Sequence, residues 1–180
     1  MKLKALIAAA AAGIVLIMFC MVMSSKNGAI CLEETVNTAQ SSIDVHLANR
    51  FNKLQELAAC VKKYDEHEAS TLEKVIATRG KNMTGAQAKE CIAAFSRVEE
   101  RYPELKSQAN YAHLMNDISI TENHLAQQKK AYNEAVRDYR YYVRKFPTST
   151  FLSLTSYVVQ RYEMYLAEES MKDKAPLQLF

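Results

Sequence analysis

The hydrophobic pattern begins with an uninterrupted apolar run near the N-terminus. Residues 5–23 carry no charged or strongly polar side chain. As a helix they would span roughly 28 Å, close to the thickness of about 30 Å of a bilayer's hydrocarbon core. Two lysines precede the run, and Gly28 follows it in the position of a helix stop. We therefore predict a short tail at 1–4, a transmembrane anchor at 5–23 and a linker at 24–32.

A cleaved secretory signal is the alternative interpretation of the same run. Signal peptides have an apolar region of about 7–15 residues that ends in small side chains. This run is longer, and it ends in bulky side chains that include Phe19, Met21 and Met23. The sequence therefore favours an anchor that stays attached.

Beyond residue 33, apolar and tyrosine side chains recur every three or four residues, which is the period of an amphipathic helix. One such stripe runs from Val36 to Arg79 and predicts a long helix, with Gly80 in the place of a C-cap glycine. Thr84 and Gln87 have the spacing of a capping box, so we expect a shorter helix to begin there.

A second long stripe begins at Pro103, which suits the first turn of a helix. Pro147 ends it, because the residue before a proline disfavours the α conformation. Threonine and serine at 148–150 are candidate N-caps of a last short helix that Pro176 ends. Its expected inward side chains are Phe151, Leu154, Val158, Tyr162 and Tyr165. We predict an all-α fold in which an N-terminal transmembrane helix precedes an antiparallel four-helix bundle, with two long and two shorter helices, over residues 33–180.

The composition supports this interpretation. With 4 glycines and 3 prolines in 180 residues, the chain has too few turn residues for a small all-β protein. The formal net charge is +3, and Lys2 and Lys4 supply most of it. The rest of the chain is therefore close to neutral, which argues against a nucleic-acid partner.

The cysteines and histidines predict neither a metal site nor a cofactor. One cysteine lies in the apolar run and no CxxC pair occurs, so neither a disulfide framework nor a zinc site is expected. The histidines form no HxxxH or HExxH pattern. Cys60 has the surroundings of a small core residue. A Cys60–Cys91 bridge is the alternative if the domain is exported.

Several motifs along the chain carry a family pattern. They are Ser42 to Leu47, Arg50-Phe51, Val61 to Tyr64, Tyr102 to Lys106, Ala131 to Val136, Phe146-Pro147 and Pro176 to Phe180. Their order and spacing resemble the LemA family of bacterial membrane proteins over essentially everything after the anchor. The resemblance implies an N-terminal transmembrane helix and an all-α domain.

The location implied is the bacterial inner membrane, crossed once. The charges that flank the span are Lys2, Lys4, Lys26, Glu33 and Glu34. Their balance favours a cytoplasmic N-terminus and an exported domain. The resemblance implies the opposite, a cytoplasmic domain, so both orientations stay open.

Glu68 and Arg79 are charged residues that fall on the first apolar stripe. Glu68 and Arg79 lie about 16 Å apart along a helix, too far to pair with each other. Because an unpaired buried charge is strongly destabilising, each must meet a group on another helix, and Glu122, Tyr132 and Asn133 are the candidates. We expect Glu68, Arg79, Glu122 and Asn133 to form a structural polar network. A catalytic pair of Glu68 with Glu122 is the alternative.

A basic edge is predicted on the second long helix. Arg137, Arg140 and Arg144 are three and four residues apart, so they share one side of a helix. Such an edge suits anionic lipid head groups or other phosphates. The alternative is a solvated helix face with cation–π packing on neighbouring tyrosines.

We expect a single-pass membrane protein that acts as a non-enzymatic scaffold or interaction module for a membrane or envelope protein. The chain has no GxSxG motif, no glycine-rich phosphate loop and no cysteine–histidine nucleophile pattern. Binding of anionic lipid through the basic edge is the alternative function, and an enzyme that uses buried carboxylates is the third.

Overall fold

The computed structural model describes residues 2–166, and within them the chain is helical and has no strand. The helices are α1 (Lys2–Val61), α2 (Glu66–Arg79), α3 (Gly85–Arg101), α4 (Pro103–Lys106), α5 (Ala109–Arg144) and α6 (Thr148–Leu154). The expected all-α class is therefore confirmed. Pro176 and the short tail after it lie outside the described residues.

The chain divides into two compact units. Among the described residues, the first unit comprises 2–40 and 130–164, and the second comprises 41–129 and 165–166. Helices α1 and α5 each contribute residues to both units. Each unit is described below by its own contacts.

Helix α1 contains the apolar run. Among residues 2–166 it is the one helix long and apolar enough to cross a membrane, and its most apolar window is 0% buried. Side chains such as Leu6, Ile14 and Phe19 are all more than half exposed. This exposure is what contact with lipid requires, since lipid solvates apolar side chains.

The prediction that Gly28 ends the first helix is wrong, because α1 continues without a break through residues 24–32. A single helical glycine costs only about 1 kcal/mol relative to alanine. In this position it also allows a close approach within the first unit. A Cβ atom at Gly28 would meet the hydroxyl of Tyr142 and would lie 2.7 Å from its Cζ, and that hydroxyl donates to the Ser25 carbonyl at 3.3 Å.

The long helix predicted from Val36 to Arg79 is interrupted at 62–65. The cause is Asp65, which is the N-cap of α2: its Oδ1 accepts from the backbone N–H groups of His67 at 2.9 Å and Glu68 at 3.0 Å. The apolar stripe nevertheless continues across the break, because side chains of α1 and α2 enter one core. Gly80 caps α2 as expected, with φ of 64° and its N–H bonded to the Ile76 carbonyl.

The second unit has a continuous hydrophobic core to which α1 to α5 all contribute. Its fully buried members include Leu54 and Leu57 of α1, Ile76 of α2 and Phe95 of α3. From α5, Tyr111 donates its hydroxyl proton to the Phe95 carbonyl at 3.1 Å, which satisfies the polar end of a buried aromatic ring.

A helix start was predicted at Thr84 and the start of the second long helix at Pro103, and the structure confirms the first but not the second. The capping box is confirmed: Gln87 N–H donates to Thr84 Oγ1 at 3.3 Å, and Thr84 N–H donates to Gln87 Oε1 at 2.9 Å. Pro103, however, opens only the four residues of α4. The second long helix begins at Ala109 instead, because the chain turns at 107–108.

The predicted last helix is much shorter than expected. It ends at Leu154, and Pro147, rather than a residue of 148–150, stands at its N-cap. Ser156 has φ of 52°, a left-handed conformation that a helix cannot continue through. The Gln160 N–H then donates to the Tyr139 hydroxyl at 2.9 Å instead of to a carbonyl four residues earlier.

Residues 155–164 therefore pack as a non-helical segment of the first unit. Tyr157 donates to Glu33 Oε2 at 2.5 Å, and Tyr162 donates to Asn37 Oδ1 at 3.4 Å. Val158, expected to face inward, is 73% exposed, and Leu154 is 69% exposed. Side-chain bonds to α1 thus replace the apolar stripe that a helix would have used.

Candidate functional site

A cleft of about 450 Å³ lies between α2 and α3 in the second unit. The loop at 80–84 returns the chain so that the two helices lie side by side, with Gly80 closing α2 and the capping box opening α3. The apolar side chains that form its floor are Leu72, Val75, Ile76, Ala94, Phe95 and Val98. The apolar faces of both helices therefore contribute to it.

Charged side chains form the rim of this cleft. Arg101 of α3 is ion-paired with Glu68 of α2. Arg79 of α2 is ion-paired with Glu90 of α3 at 2.7 Å and also donates to the Gln87 carbonyl at 2.7 Å. Each pair joins the two helices, and the pairs are about 16 Å apart along α2.

Arg97 is the remaining arginine of the rim. Its guanidinium donates to the carbonyl of Ala93 on its own helix at 3.4 Å. No carboxylate among residues 2–166 pairs with it, and its side chain is exposed. The cleft thus presents an apolar floor beside one cation that is available to an anionic group.

A carboxylate and a tyrosine lie where α2 begins. The Tyr102 hydroxyl donates to Asp65 Oδ2 at 2.8 Å. The N–H of Glu68, followed by the Tyr102 hydroxyl, holds the pKa of the Asp65 carboxyl below its ordinary value. The hydrogen bond to Asp65 in turn raises the pKa of Tyr102. The ionised carboxylate is therefore the form that caps α2.

The predicted polar network is distributed over separate partners. Glu68 and Arg79 do meet groups on another helix, but these are Arg101 and Glu90, not the expected residues of the second long stripe. Glu122 is bonded elsewhere in the second unit, and Asn133 belongs to the first unit. Glu68 and Glu122, the proposed catalytic pair, are held by two different arginines.

The partner of Glu122 is Arg50, a residue that sequence reasoning missed. Arg50 is 1% exposed. Its Nη1 donates to Glu122 Oε1 at 3.2 Å, and its Nη2 donates to the Met83 carbonyl. The signal was present in the sequence, since Arg50 occupies the apolar stripe between Leu47 and Leu54.

A second ion pair lies beside this one. Lys53 Nζ donates to Asp117 Oδ2 at 2.5 Å. That hydrogen bond is the main reason that the pKa of the Asp117 carboxyl is lowered. Within the second unit, α1 and α5 are thus joined by two adjacent ion pairs in an antiparallel register.

Only part of the predicted basic edge of α5 is accessible to an anion. Arg137 is exposed and ion-paired with Asp138 at 3.0 Å. Arg140 is half-buried and donates to the Tyr162 carbonyl, while Arg144 is exposed. The three arginines therefore do not form one uniform anion-binding surface.

The tyrosines of the first unit differ in exposure. Tyr132 and Tyr139 are buried and Tyr142 is half-buried, whereas Tyr141 is 69% exposed. Lys145 Nζ lies 4.6 Å from the ring centre of Tyr142. Burial, followed by the hydrogen bond to Glu33, raises the pKa of Tyr157.

The cysteines are free thiols. Cys91 is buried in the wall of the cleft, and half-buried Cys60 accepts a hydrogen bond from the Asn110 amide at 3.4 Å. No group of three or more histidine, cysteine or carboxylate side chains converges in the described part of the chain as metal ligands would. His46 and His124 stack with ring centres 5.7 Å apart.

Comparison with protein families gives a match. The model of a family described as the LemA family matches residues 39–178, which is most of the chain. The match includes α2, α3 and the cleft between them, and the apolar run precedes it. No curated protein matches the chain.

Proposed function

We propose that this chain, which belongs to the LemA family, is a membrane-tethered, non-enzymatic scaffold that binds a protein partner in the cleft between α2 and α3. Helix α1 supplies the tether, since its apolar part is exposed and long enough to cross a membrane. The observation that carries the proposal is the apolar floor of the cleft beside exposed Arg97. Val75 and Ala94 are the half-buried members of that floor, whereas Leu72, Ile76, Phe95 and Val98 are buried in the core. Accessible apolar side chains such as Val75 and Ala94 between two helices are typical of a surface that a partner covers.

The chemistry of the cleft defines the partner. The rim ion pairs are about 16 Å apart, which is the length of three turns of a helix. We infer that an amphipathic helical segment lies along the cleft and places apolar side chains on the floor at every third or fourth position. An acidic residue of that segment pairs with Arg97, which has no carboxylate partner among residues 2–166.

The charge arrangement of the cleft supports a non-enzymatic function. Its two carboxylates, Glu68 and Glu90, are each ion-paired with an arginine of the opposite helix. A general base must be free to accept a proton from a substrate, and these carboxylates are already bonded across the cleft. Their role is to join α2 to α3 and to keep the cleft in shape.

We also infer a four-helix bundle for the second unit, although its helices differ from those expected for the bundle over residues 33–180. Residues 41–61, α2, α3 and residues 109–129 would pack as an antiparallel four-helix bundle. Their common hydrophobic core and the short connections at 62–65 and 80–84 support this arrangement.

Charge reversal at the rim tests the proposed site. The full-length chain is isolated from its native membranes with its associated proteins, as wild type and as Arg97→Glu. Lys63→Glu is the matched control, because Lys63 is an exposed cation outside the cleft. We expect the same specific partner with wild type and with Lys63→Glu, and its loss with Arg97→Glu. Equal recovery with both variants would contradict the proposal.

Lipid binding by the basic edge is the second candidate function. Exposed Arg144 favours it, whereas Arg137 and Arg140 are engaged with Asp138 and with the Tyr162 carbonyl. Full-length wild-type protein in vesicles should shield phosphatidylglycerol head groups from reaction with a water-soluble probe. Fewer head groups should be shielded when Arg137, Arg140 and Arg144 are all changed to glutamate. Unchanged protection would remove this candidate.

The proposed location is the bacterial inner membrane, crossed once by residues 5–23. A reporter enzyme fused to the C-terminus, active on one side of the membrane only, shows which compartment contains the cleft. The charges around the span predict an exported domain, and the family resemblance implies a cytoplasmic one. The result defines the compartment in which the partner must be sought.

A further inference from the structure

The end of α5 and the start of α6 lie against the apolar part of α1 in the first unit. Pro147 and Phe151 line a cavity of about 530 Å³ together with α1 side chains between Leu16 and Ser25. The lining is predominantly apolar. The chain around Pro147 therefore lies across this cavity from the same stretch of α1 that is proposed to cross the membrane.

The register of α5 on α1 gives the depth of this contact. The Tyr142 hydroxyl donates to the Ser25 carbonyl, and Pro147, five residues later in the chain, lines the same cavity as α1 side chains from Leu16 to Ser25. At 1.5 Å per residue, Leu16 lies about 10 Å before Met23, where the predicted span ends. Ser25 lies about 3 Å beyond Met23, so residues beside the Ser25 end of this stretch lie at the depth of lipid head groups and upper acyl chains when α1 crosses a bilayer. Leu16, in contrast, is near the middle of the predicted span.

The surface next to this contact has the composition of a membrane interface. Phe146 is 84% exposed, an unusual state for a phenylalanine in water, and Tyr141 is 69% exposed. Arg144 and Lys145 are exposed directly before Phe146. An apolar tip beside aromatic and basic side chains is the pattern by which proteins enter the interface of a bilayer.

We propose that residues 144–151, the interfacial segment, enter the bilayer beside α1, with Phe146 among the upper acyl chains and Arg144 and Lys145 at the level of the lipid phosphates. This inference rests on the proposed tether, because the depth of the segment follows from the position of α1 in the membrane. The occupant of the exposed surface is lipid. The protein thus meets the bilayer both through its anchor and through the end of α5.

This second contact has a mechanical consequence. A helix that crosses a bilayer alone can rotate and tilt relative to it. In the first unit, Tyr142 packs on Gly28, and Pro147 lines a cavity with side chains of α1, so lipid contact at Phe146 would fix the rotation of the first unit about the axis of α1.

Single tryptophans test the depth directly, because the natural chain contains no Trp. The full-length variants Phe146→Trp, Ile14→Trp and Val45→Trp are reconstituted separately into vesicles of phosphatidylcholine and phosphatidylglycerol. Part of the phosphatidylcholine carries bromine at a shallow or a deep acyl carbon, which quenches nearby tryptophan. Ile14 reports the anchor, and Val45, an exposed α1 residue of the second unit, is the control.

We expect shallow bromine to quench most of the Phe146→Trp emission and deep bromine to quench less of it. Deep bromine should quench Ile14→Trp, and neither lipid should quench Val45→Trp. Quenching of Ile14→Trp with none at Phe146→Trp would overturn the interfacial segment and leave the anchor intact. Absence of quenching at Ile14→Trp would overturn the anchor itself.

A second copy of the chain is the competing occupant of the Phe146 surface. Phe146→Trp would then emit as a buried side chain that brominated lipid does not quench, and its emission would shift to longer wavelength on dilution with unlabelled lipid. That result would overturn the inference. Helical content measured by circular dichroism should be the same in all three variants, because each changed side chain is exposed.

Discussion

The ion pair of Arg50 with Glu122 makes a sharp prediction about stability. Arg50 is 1% exposed, whereas the Glu122 side chain is 27% exposed. Glu122→Leu removes the counter-charge and leaves the guanidinium buried, with its Nη2 still bonded to the Met83 carbonyl. Breaking a buried pair in this way costs about 3–5 kcal/mol. Because solvent reaches Glu122, we expect the lower end of that range, about 3 kcal/mol.

Removal of the buried charge as well should recover much of the loss. In the double variant Arg50→Met with Glu122→Leu, neither an unpaired charge nor a charged hydrogen-bonding group remains at the site. Replacement of a buried pair by apolar side chains is commonly neutral or stabilising. The Nε of Arg50 has no hydrogen-bond partner among residues 2–166, so the wild-type guanidinium already carries a desolvation cost that the double variant removes.

Urea unfolding of the full-length protein in detergent micelles, followed by circular dichroism, measures these differences. Glu134→Leu is the control, because Glu134 is an exposed carboxylate on the same helix, and a change of at most about 0.5 kcal/mol is expected for it. Two results would contradict a stabilising role of Glu122 toward the buried Arg50 charge. One is that Glu122→Leu is as stable as Glu134→Leu, and the other is that the double variant is less stable than Glu122→Leu alone.

Three further predictions concern the glycines and the cap of α2. Gly28→Ala should lower the melting temperature by displacing Tyr142, although alanine favours a helix by about 1 kcal/mol. Gly13→Ala is the control and should not lower it, because nothing lies within 4 Å of the new Cβ. Equal effects of the two substitutions would contradict the close contact between Gly28 and Tyr142. Gly80→Ala should cost about 1–3 kcal/mol in urea unfolding, because φ of 64° is strained for alanine; an unchanged midpoint would contradict the cap. The pKa of Asp65 is lowered in the folded protein, so its contribution is present at neutral pH and is lost as the pH falls through that lowered pKa. Asp65→Asn should therefore lose less stability than wild type in an acid titration, and parallel curves would contradict this.

The fold class and several helix ends could be predicted because they depend on local chemistry. Gly80 ends α2 in a positive-φ conformation that glycine adopts readily, and the side chains of Thr84 and Gln87 each accept from the other's backbone N–H at the start of α3. Residues close in sequence therefore determine both helix ends. The break at Asp65 was missed because a continuous apolar stripe has the same period on both sides of a turn. The last helix was predicted to be too long for two reasons. Ser156 adopts a left-handed conformation, and the Gln160 N–H donates to Tyr139, a residue distant in sequence; the apolar stripe shows neither feature.

The candidate site was predictable only in part, for a similar reason. Glu68 and Arg79 stood out as charges on an apolar stripe, but the stripe does not show which helix lies opposite. Their partners are on α3, whereas the second long stripe was expected to supply them. Arg50 had the same signal and was overlooked, although it is the most deeply buried charge among the described residues.

Photo-crosslinking from the cleft shows whether a protein partner occupies it. A benzophenone amino acid replaces Thr71, which is exposed at the cleft, or Glu73, which is exposed on α2 outside it. The full-length protein is irradiated in native membranes. We expect one discrete crosslinked partner from position 71 and none from position 73. The product at position 71 should disappear when Arg97→Glu is added. Equal products from both positions, or a product at 71 that survives Arg97→Glu, would contradict this expectation.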